Sequence, residues 1–356
     1  MAVTLKDIAE RTGVSPSVVS TVLSGRDNGT FVSETTRRKV LQVAESLNYT
    51  PVRSGRPRGS RRLRRQRTEQ FIGLWDPDYD ATSVHLMQQL QIALQNHARD
   101  AGAESGDDFG FRLLTPYDLP RLDSIGVMGL FLLSSSLLPR EAATATIPSV
   151  MLGEVDNPPK ELGLVHLDNF AAGRDIAEHL YGLGHRVIAY LAPGAHPRVS
   201  RQRFQGMKSV WIKRQADPSR IIPAQYDSSA AASDRDQIRR TVGTLMNGVR
   251  PRPTALICET ETVAATANQA LHEMGIPVPG QVSVVAVGDT PRVADLFVPP
   301  LTTIRYPLEQ IADAAIALLY ELHDDEDNGA PRELHDIAFP GQLIVRSSTG
   351  PAPGVA

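Results

Sequence analysis

Apolar and polar positions follow two different rhythms along this chain. Between Val3 and Pro51 the apolar residues recur at helical spacing in three bursts. These are Ile8 with Ala9, then Val18, Val19, Val22 and Leu23, then Val40, Leu41, Ala44 and Leu47. Each burst reads as the buried stripe of a short helix. Thr4-Leu5-Lys6-Asp7 opens the first as a capping box, the Thr4 hydroxyl accepting from a first-turn amide while Asp7 reaches back. Gly13 breaks that helix. Ser15 caps the second, and Pro16 takes its first position, where the missing N–H costs nothing. Ser33 caps the third. The second helix leaves Pro16, Ser17, Ser20 and Thr21 facing outward. Two helices joined by a short turn, the second showing small polar side chains, match the helix-turn-helix pattern.

From residue 71 onward the rhythm changes to short apolar runs alternating with amphipathic stretches. Strands are expected at Phe71–Trp75, Phe111–Leu114, Gly129–Leu133, Ser149–Leu152, Leu164–Leu167, Val187–Leu191, Ala255–Cys258 and Val282–Val287. Helices are expected at Ser83–Ala101, Asn169–Gly182, Arg201–Gln215, Asp234–Asn247, Thr262–Met274 and Leu308–Asp324. Such alternation predicts layered α/β structure with parallel sheets.

Composition is consistent with this picture. The chain has 356 residues, 41% of them hydrophobic, enough for a small helical unit and a larger two-lobed body. A single cysteine, Cys258, excludes an internal disulfide, fits a reducing compartment and reads as a small buried hydrophobe. The longest apolar run, near Gly126–Leu138, is too short to span a bilayer, and no secretory signal is expected ahead of the first helix.

Charge separates the two parts. Residues 1–70 hold fourteen Lys and Arg against six Asp and Glu, an excess of eight positive charges. With a net charge of −3 for the whole chain, the remainder carries −11. A basic end on an acidic body points to a polyanionic partner for that end alone. Residues 53–67 contain eight arginines, among them Arg53, Arg56 and Arg58, and no acidic residue. Gly55, Pro57 and Gly59 forbid a regular helix through the first half of this segment.

Several of these stretches carry a family resemblance. Val3–Ala9, Gly13-Val14-Ser15, Val19–Leu23, Val32–Arg37 and Leu47–Pro51, in this order and spacing, resemble the headpiece of the LacI/GalR family of bacterial repressors. Asp168-Asn169 with Ala172-Gly173, Leu183–Leu191, Arg203-Phe204-Gln205-Gly206, Val278–Val285 and Pro299–Arg305 resemble that family's effector domain. The resemblance implies a small all-α helix-turn-helix headpiece at residues 1–52 and an arginine-rich hinge or linker at 53–69. It further implies a two-lobed α/β body of periplasmic-binding-protein type I fold, with doubly wound parallel sheets, at 70–349. Residues near 70–165 and 305–328 would build one lobe, and 166–300 with 335–349 the other. Ligands would lie in the cleft, at the carboxyl ends of the strands.

Function is implied in the same way: a cytoplasmic, sequence-specific transcriptional regulator, a repressor, bound as a homodimer to a near-palindromic double-stranded DNA operator. No cofactor, metal or membrane is implied. Ser17 and Thr21 would read base edges, with Pro16 and Val18 against thymine methyls. Ser20 and Tyr49 would hold phosphates, and Thr4 stands with them as a DNA-binding candidate. Arg53, Arg56 and Arg58 extend the interface into the linker.

That linker departs from the family pattern, which folds on DNA into a hinge helix whose leucine wedges the minor groove. Here the wedge position falls on Arg58. Ser54–Gly59 resembles instead an AT-hook core for narrow A·T grooves. Three readings stay open: A·T-groove binding, a phosphate-binding tether, and a shifted hinge helix with Leu63 as wedge.

The effector, a sugar or related metabolite, would meet Asp78, Ser83, Arg203, Tyr226, Thr260 and Asp289. Arg203 occupies the family's effector-holding position, the alternative being an interdomain salt bridge; Tyr226 is either a stacking ring or packing. Other positions depart from the sugar-binding pattern. Gly288 stands where a carboxylate is common, with Asp289 as its substitute. Thr260-Glu261 replaces an Asn-Asp pair, and Ser83-Val84 replaces aromatic residues. A ligand-independent DNA-binding factor with a degenerate pocket therefore remains the alternative. Catalysis is not expected, because no metal-ligand spacing, nucleophile elbow or phosphate loop occurs. His185 is expected to satisfy local backbone groups.

Overall fold

The computed structural model describes residues 5–14, 18, 19, 22, 34–46, 71–77, 81–100, 110–133, 138–140, 142, 147–194, 197–227, 234–328 and 334–354. The chain divides into two compact units, Met1–Arg67 and Thr68–Ala356.

In the first unit, helices α1 (Leu5–Thr12) and α2 (Glu34–Ser46) pack around a cluster of Ile8, Ala9, Val19, Val22, Val40 and Ala44. Among the described residues the expected stripe is present with two corrections. Val18 is only half-buried. Leu41 is 47% exposed, because Val40 and Ala44, four residues apart on one face, take the inward side and turn its neighbour out. Leu23 and Leu47 lie outside the described residues.

The second unit holds two six-stranded sheets. The first is ordered β11-β5-β4-β3-β1-β2, from β1 (Phe71–Trp75), β2 (Phe111–Leu113), β3 (Val127–Leu132), β4 (Ser149–Met151), β5 (Leu162–Leu167) and β11 (Asp336–Phe339), all parallel. The second is ordered β12-β10-β9-β8-β6-β7, from β6 (Ile188–Pro193), β7 (Ile221–Tyr226), β8 (Ala255–Cys258), β9 (Ser283–Val287), β10 (Thr302–Arg305) and β12 (Gln342–Ile344). Only the β10–β12 pair is antiparallel. The central strands are apolar on both faces because helices cover both sides, which is why they read as continuous runs rather than alternations.

In the first lobe α3 (Ala81–Asp100) and α8 (Leu308–Asn328) cover one face, Leu90 and Leu94 meeting Ile311, Ala315 and Leu319. In the second lobe α6 (Asp234–Gly248) and α7 (Glu261–Glu273) cover one face, and α4 (Asn169–Gly182) and α5 (Pro197–Lys213) the other.

The chain passes between the lobes after β5, after β10 and after β11. The expected assignment of 335–349 to the second lobe is thus corrected. Asp336–Phe339 pairs with Leu164–Leu167 of the first sheet, and the second lobe resumes only at β12.

His185 is also corrected. Its ring does not serve local backbone: Nδ1 lies 2.8 Å from the Thr254 hydroxyl, and Nε2 lies 3.1 Å from both Ser283 Oγ and the Gly350 carbonyl. It is a fully buried knot joining three distant segments of the second lobe.

Candidate functional site

Each sheet reverses its winding once, between β1 and β3 in the first lobe and between β6 and β8 in the second. In open α/β sheets such reversals leave a crevice at the carboxyl ends of the strands. Both crevices open on the same cleft, a cavity of about 500 Å³ whose walls include Asp76 and Leu133 from one switch point and Pro193 and Glu259 from the other.

The second-lobe wall is built around Arg203. Asp168 caps α4 by accepting the Ala171 amide at 2.8 Å, which sets Asn169 at the head of that helix. Asn169 Oδ1 then accepts from Arg203 Nε at 2.8 Å. The rest of the guanidinium donates to the Glu259 carbonyl at 3.0 Å and to the Tyr306 hydroxyl at 3.1 Å, and lies 3.0 Å from Glu259 Oε1. Tyr190 donates to the other Glu259 oxygen. Burial alone would push the arginine toward losing its proton, but Glu259 and the hydroxyls of Tyr306 and Tyr190 more than offset this, so it stays charged.

Two glycines hold the helices carrying this network in register. A Cβ on Gly173 would stand 2.0 Å from the Arg203 carbonyl oxygen, and one on Gly206 would stand 2.1 Å from that of Phe170. Backbone meets backbone where α4 crosses α5, which only glycine permits at both points.

Next to this network stands Glu261, 8% exposed. Its Oε2 accepts from the Thr290 amide at 3.0 Å and hydroxyl at 2.6 Å, whereas its Oε1 is buried with no hydrogen-bond donor. Burial pushes its proton affinity up; the Thr290 bonds oppose this. Gly288 suits the arrangement: its φ of 109° disfavours other residues, and a Cβ there would come within 3.3 Å of Glu261 Oε2.

The first-lobe wall carries a second buried polar group. His166 Nε2 lies 2.7 Å from Asp336 Oδ1, and Nδ1 lies 2.8 Å from the Leu167 carbonyl and 3.1 Å from Glu154 Oε1. Every neighbour of the ring is an acceptor. Arg198, from α5 of the other lobe, donates to Asp336 Oδ2 at 2.9 Å and to the Val155 carbonyl at 3.1 Å. Its Nε stands 3.5 Å from Glu154 Oε2, near enough to attract it but not in hydrogen-bonding geometry, so that oxygen also lacks a donor. Burial would raise the Asp336 carboxyl, but hydrogen bonds from His166 and Arg198 hold it below the usual range.

Of the expected effector contacts, Ser83, Arg203, Tyr226 and Thr260 line the one cavity. Thr260 also caps α7 through its hydroxyl. Arg203's salt bridge lies within the second lobe rather than across the lobes. Asp289 lies elsewhere, on an adjoining cavity of about 400 Å³, its carboxylate held by Arg305, Arg346 and Thr303. Asp78 falls outside the described residues.

Glu154, His166 and Glu259 had no sequence signal of their own, though Glu259 directly follows a continuous apolar strand, where cleft residues collect. Among the DNA-binding candidates, Thr4, Pro16, Ser17, Ser20, Thr21, Tyr49, Arg53, Arg56, Arg58 and Leu63 lie outside the described residues. Val18 is half-buried beside the headpiece core. Cys258 is fully buried in β8, and burial pushes its thiol up, away from reactivity. Among the described residues no group of side chains has the makings of a metal site, and no helix is long and apolar enough to cross a membrane.

Comparison with known proteins gives two family matches. Residues 4–52 match the family described as bacterial regulatory proteins, lacI family, and residues 177–349 match the periplasmic binding protein-like domain. The chain is similar to the HTH-type transcriptional regulator DegA of Bacillus subtilis, 26% identical over 371 residues, covering 99% of each protein. It is similar to the Lac repressor dimer bound to operator and the anti-inducer ONPF, 25% identical with a TM-score of 0.57, covering 98% of this chain and 100% of that one. A ribose-bound transcriptional regulator from Enterococcus faecium shares the fold at 21% identity and a TM-score of 0.64, covering 79% and 99%.

Proposed function

This chain belongs to the LacI family of bacterial regulatory proteins, and on that footing we propose that it is a cytoplasmic, sequence-specific transcriptional repressor. It binds a near-palindromic operator as a homodimer and responds to a small molecule held between its lobes. The observation carrying this reading is the union of the two halves. A helix-turn-helix headpiece precedes a body whose two switch points open on one cleft lined by both apolar and polar side chains.

Each headpiece would set its second helix in a major groove, Ser17 and Thr21 at base edges, Pro16 and Val18 at thymine methyls, Ser20 and Tyr49 at phosphates. Such small readers discriminate modestly, so the arginine linker supplies much of the affinity. Replacing Arg56 and Arg58 by alanine should weaken binding and flatten the dependence of log K on log salt by about 2, since each neutralised phosphate contributes close to one unit. An unchanged slope removes the linker from the interface.

A ligand changes operator affinity only through its different affinity for two lobe arrangements. Arg203 and Tyr226 on one lobe and Ser83 on the other supply contacts that depend on that arrangement.

The test is selection of bound duplexes from a random DNA pool by the full-length protein at near-physiological salt. A palindrome with an A·T-rich centre supports paired headpieces and arginine in a narrow minor groove. A central C-G step supports a hinge helix with Leu63 as wedge. No enriched motif refutes the sequence-specific repressor.

A further inference from the structure

The cleft's charges are unevenly matched. Arg203 is neutralised in place by Glu259, and its Nε, Nη1 and Nη2 are engaged by Asn169, Glu259 and Tyr306. In the adjoining cavity Arg305 and Arg346 are committed to Asp289, and Arg292 lines that cavity rather than the cleft. Among the described residues lining the cleft, no cation is left for an anionic ligand. Glu261, in contrast, has no cation within ion-pair distance among the described residues. One of its oxygens rests on Thr290, and the other, buried on the cleft wall, has no donor.

A buried carboxylate oxygen without a donor costs about 1–3 kcal/mol or more, so each such atom in a native structure calls for an explanation, a bound donor among them. We propose that the ligand of this cleft is a small organic cation, an amine-bearing ring or polyol whose ammonium group seats against Glu261. The proposal deepens the effector reading given above and rests on it.

Chemistry on both walls suits that class. An ammonium group brings three donors, and the open oxygens here, Glu261 Oε1 from the second lobe and Glu154 Oε2 from the first, are acceptors only. Tyr226 and Phe297 add aromatic rings to the lining, on whose faces a desolvated cation is attracted. Gly288 completes the case. A side chain at that position would crowd Glu261, the first residue of α7, its Cβ coming within 3.3 Å of the carboxylate. A neutral sugar would satisfy the acceptors but leave the charge of Glu261 uncompensated. A phosphate or uronic acid would meet a carboxylate with no free cation among the described residues of the cleft lining.

The test titrates the full-length protein, without DNA, with matched sets on three scaffolds: a hexopyranose, a pentofuranose and a linear four-carbon polyol. Each is offered as the primary amine, the neutral alcohol and the carboxylic acid, at pH 7.5, with affinity read by calorimetry. The expected result is that at least one amine binds tenfold or more tighter than its alcohol and its acid. Glu261→Gln should then erase that preference without lowering the unfolding midpoint of the unliganded protein. Alcohols or acids binding as well as the amines, no binding by any amine, or an undiminished preference in Glu261→Gln would each overturn the proposal. Because DNA is absent, failure here leaves the operator selection standing, and a failed selection leaves this titration interpretable.

Discussion

Replacing Gly206 by alanine should destabilise the two-lobed unit, while the same change at Gly243 should stabilise it. Both glycines lie inside helices, α5 and α6, so both gain about 0.8–1.0 kcal/mol of helix propensity with the added methyl group. Their surroundings differ. A Cβ at 206 would stand 2.1 Å from the Phe170 carbonyl oxygen and 2.9 Å from the Arg174 amide nitrogen, whereas nothing lies within 4 Å at 243. Bringing the first contact to ordinary distance requires α4 and α5 to part by roughly 1 Å, in an interior packed as densely as an organic crystal. Overpacking costs about 1–3 kcal/mol where side chains can yield; here both offending atoms are backbone. The parting also draws Arg203, one turn from Gly206, away from Asn169, and a charge-assisted bond contributes about 1.5–3 kcal/mol. We therefore expect Gly206→Ala to lose about 3 kcal/mol net and Gly243→Ala to gain about 0.5–1 kcal/mol. Urea unfolding at fixed protein concentration, followed by fluorescence of the buried Trp75 and Trp211, measures both. Two stabilising shifts of similar size would refute the close crossing of α4 and α5.

Further outcomes follow from the polar groups. Arg203→Ala leaves Glu259 buried without its cation and should cost about 3–5 kcal/mol; Arg203→Met, if as stable as wild type, would show the pair is dispensable to the fold. Arg198→Ala removes the cation that joins α5 to Glu154 and Asp336 and should cost about 2 kcal/mol; an unchanged urea midpoint would show that the bridge adds nothing. For His185, burial lowers the proton affinity of the folded state, with His179 shifted the same way. Above about pH 6.5 both states are neutral and these groups cost nothing; below it the unfolded chain takes protons that the folded one refuses. Stability should therefore be complete near pH 7.5 and fall as pH drops below 6.5, by at most about 1.4 kcal/mol per pH unit per histidine. His185→Gln should flatten that fall, and a midpoint that rises with acidification would contradict it.

Most central elements were legible because their burial is strongly patterned, though β10, with two threonines among its four residues, was not expected. Ala255–Cys258 and Asn169–Gly182 fall on the residues expected, one an apolar run and the other an amphipathic stretch opened by the Asp168 cap. The edge strands β11 and β12 were not legible, although β2, also at a sheet edge, was. β11 alternates half-buried and exposed positions, and β12 has only three residues, so neither raises a hydrophobic signal above its polar surroundings. The passage between lobes at 340 and 341 is set by which sheet edge each strand finds, which no local pattern encodes. The same limit governs the site. Arg203 could be found from its motif, yet its partners Glu259 and Tyr306 lie 56 and 103 residues away. Asp289 reads as a pocket acid until Arg305 and Arg346 are seen to hold it.

The two lobes are joined in a way that bears on control. Arg198 reaches from α5 of the second lobe to Asp336 and Glu154 of the first, and His166 lies between those two carboxylates. Glu154 and His166 also line the cleft, so the bridge and the ligand share a wall. A donor brought to Glu154 Oε2 therefore acts on the same atom that Arg198 attracts. Binding and lobe arrangement then draw on a common interaction, which is what a differential affinity requires. Reversing a 1:99 balance between two arrangements takes about 5.5 kcal/mol of such difference. A single neutral hydrogen bond, at about 1 kcal/mol net, falls far short. Compensation of a buried carboxylate on one lobe, together with relief of a donorless oxygen on the other, comes much nearer. The electrostatics of this cleft therefore bear on regulation as well as on which ligand it holds.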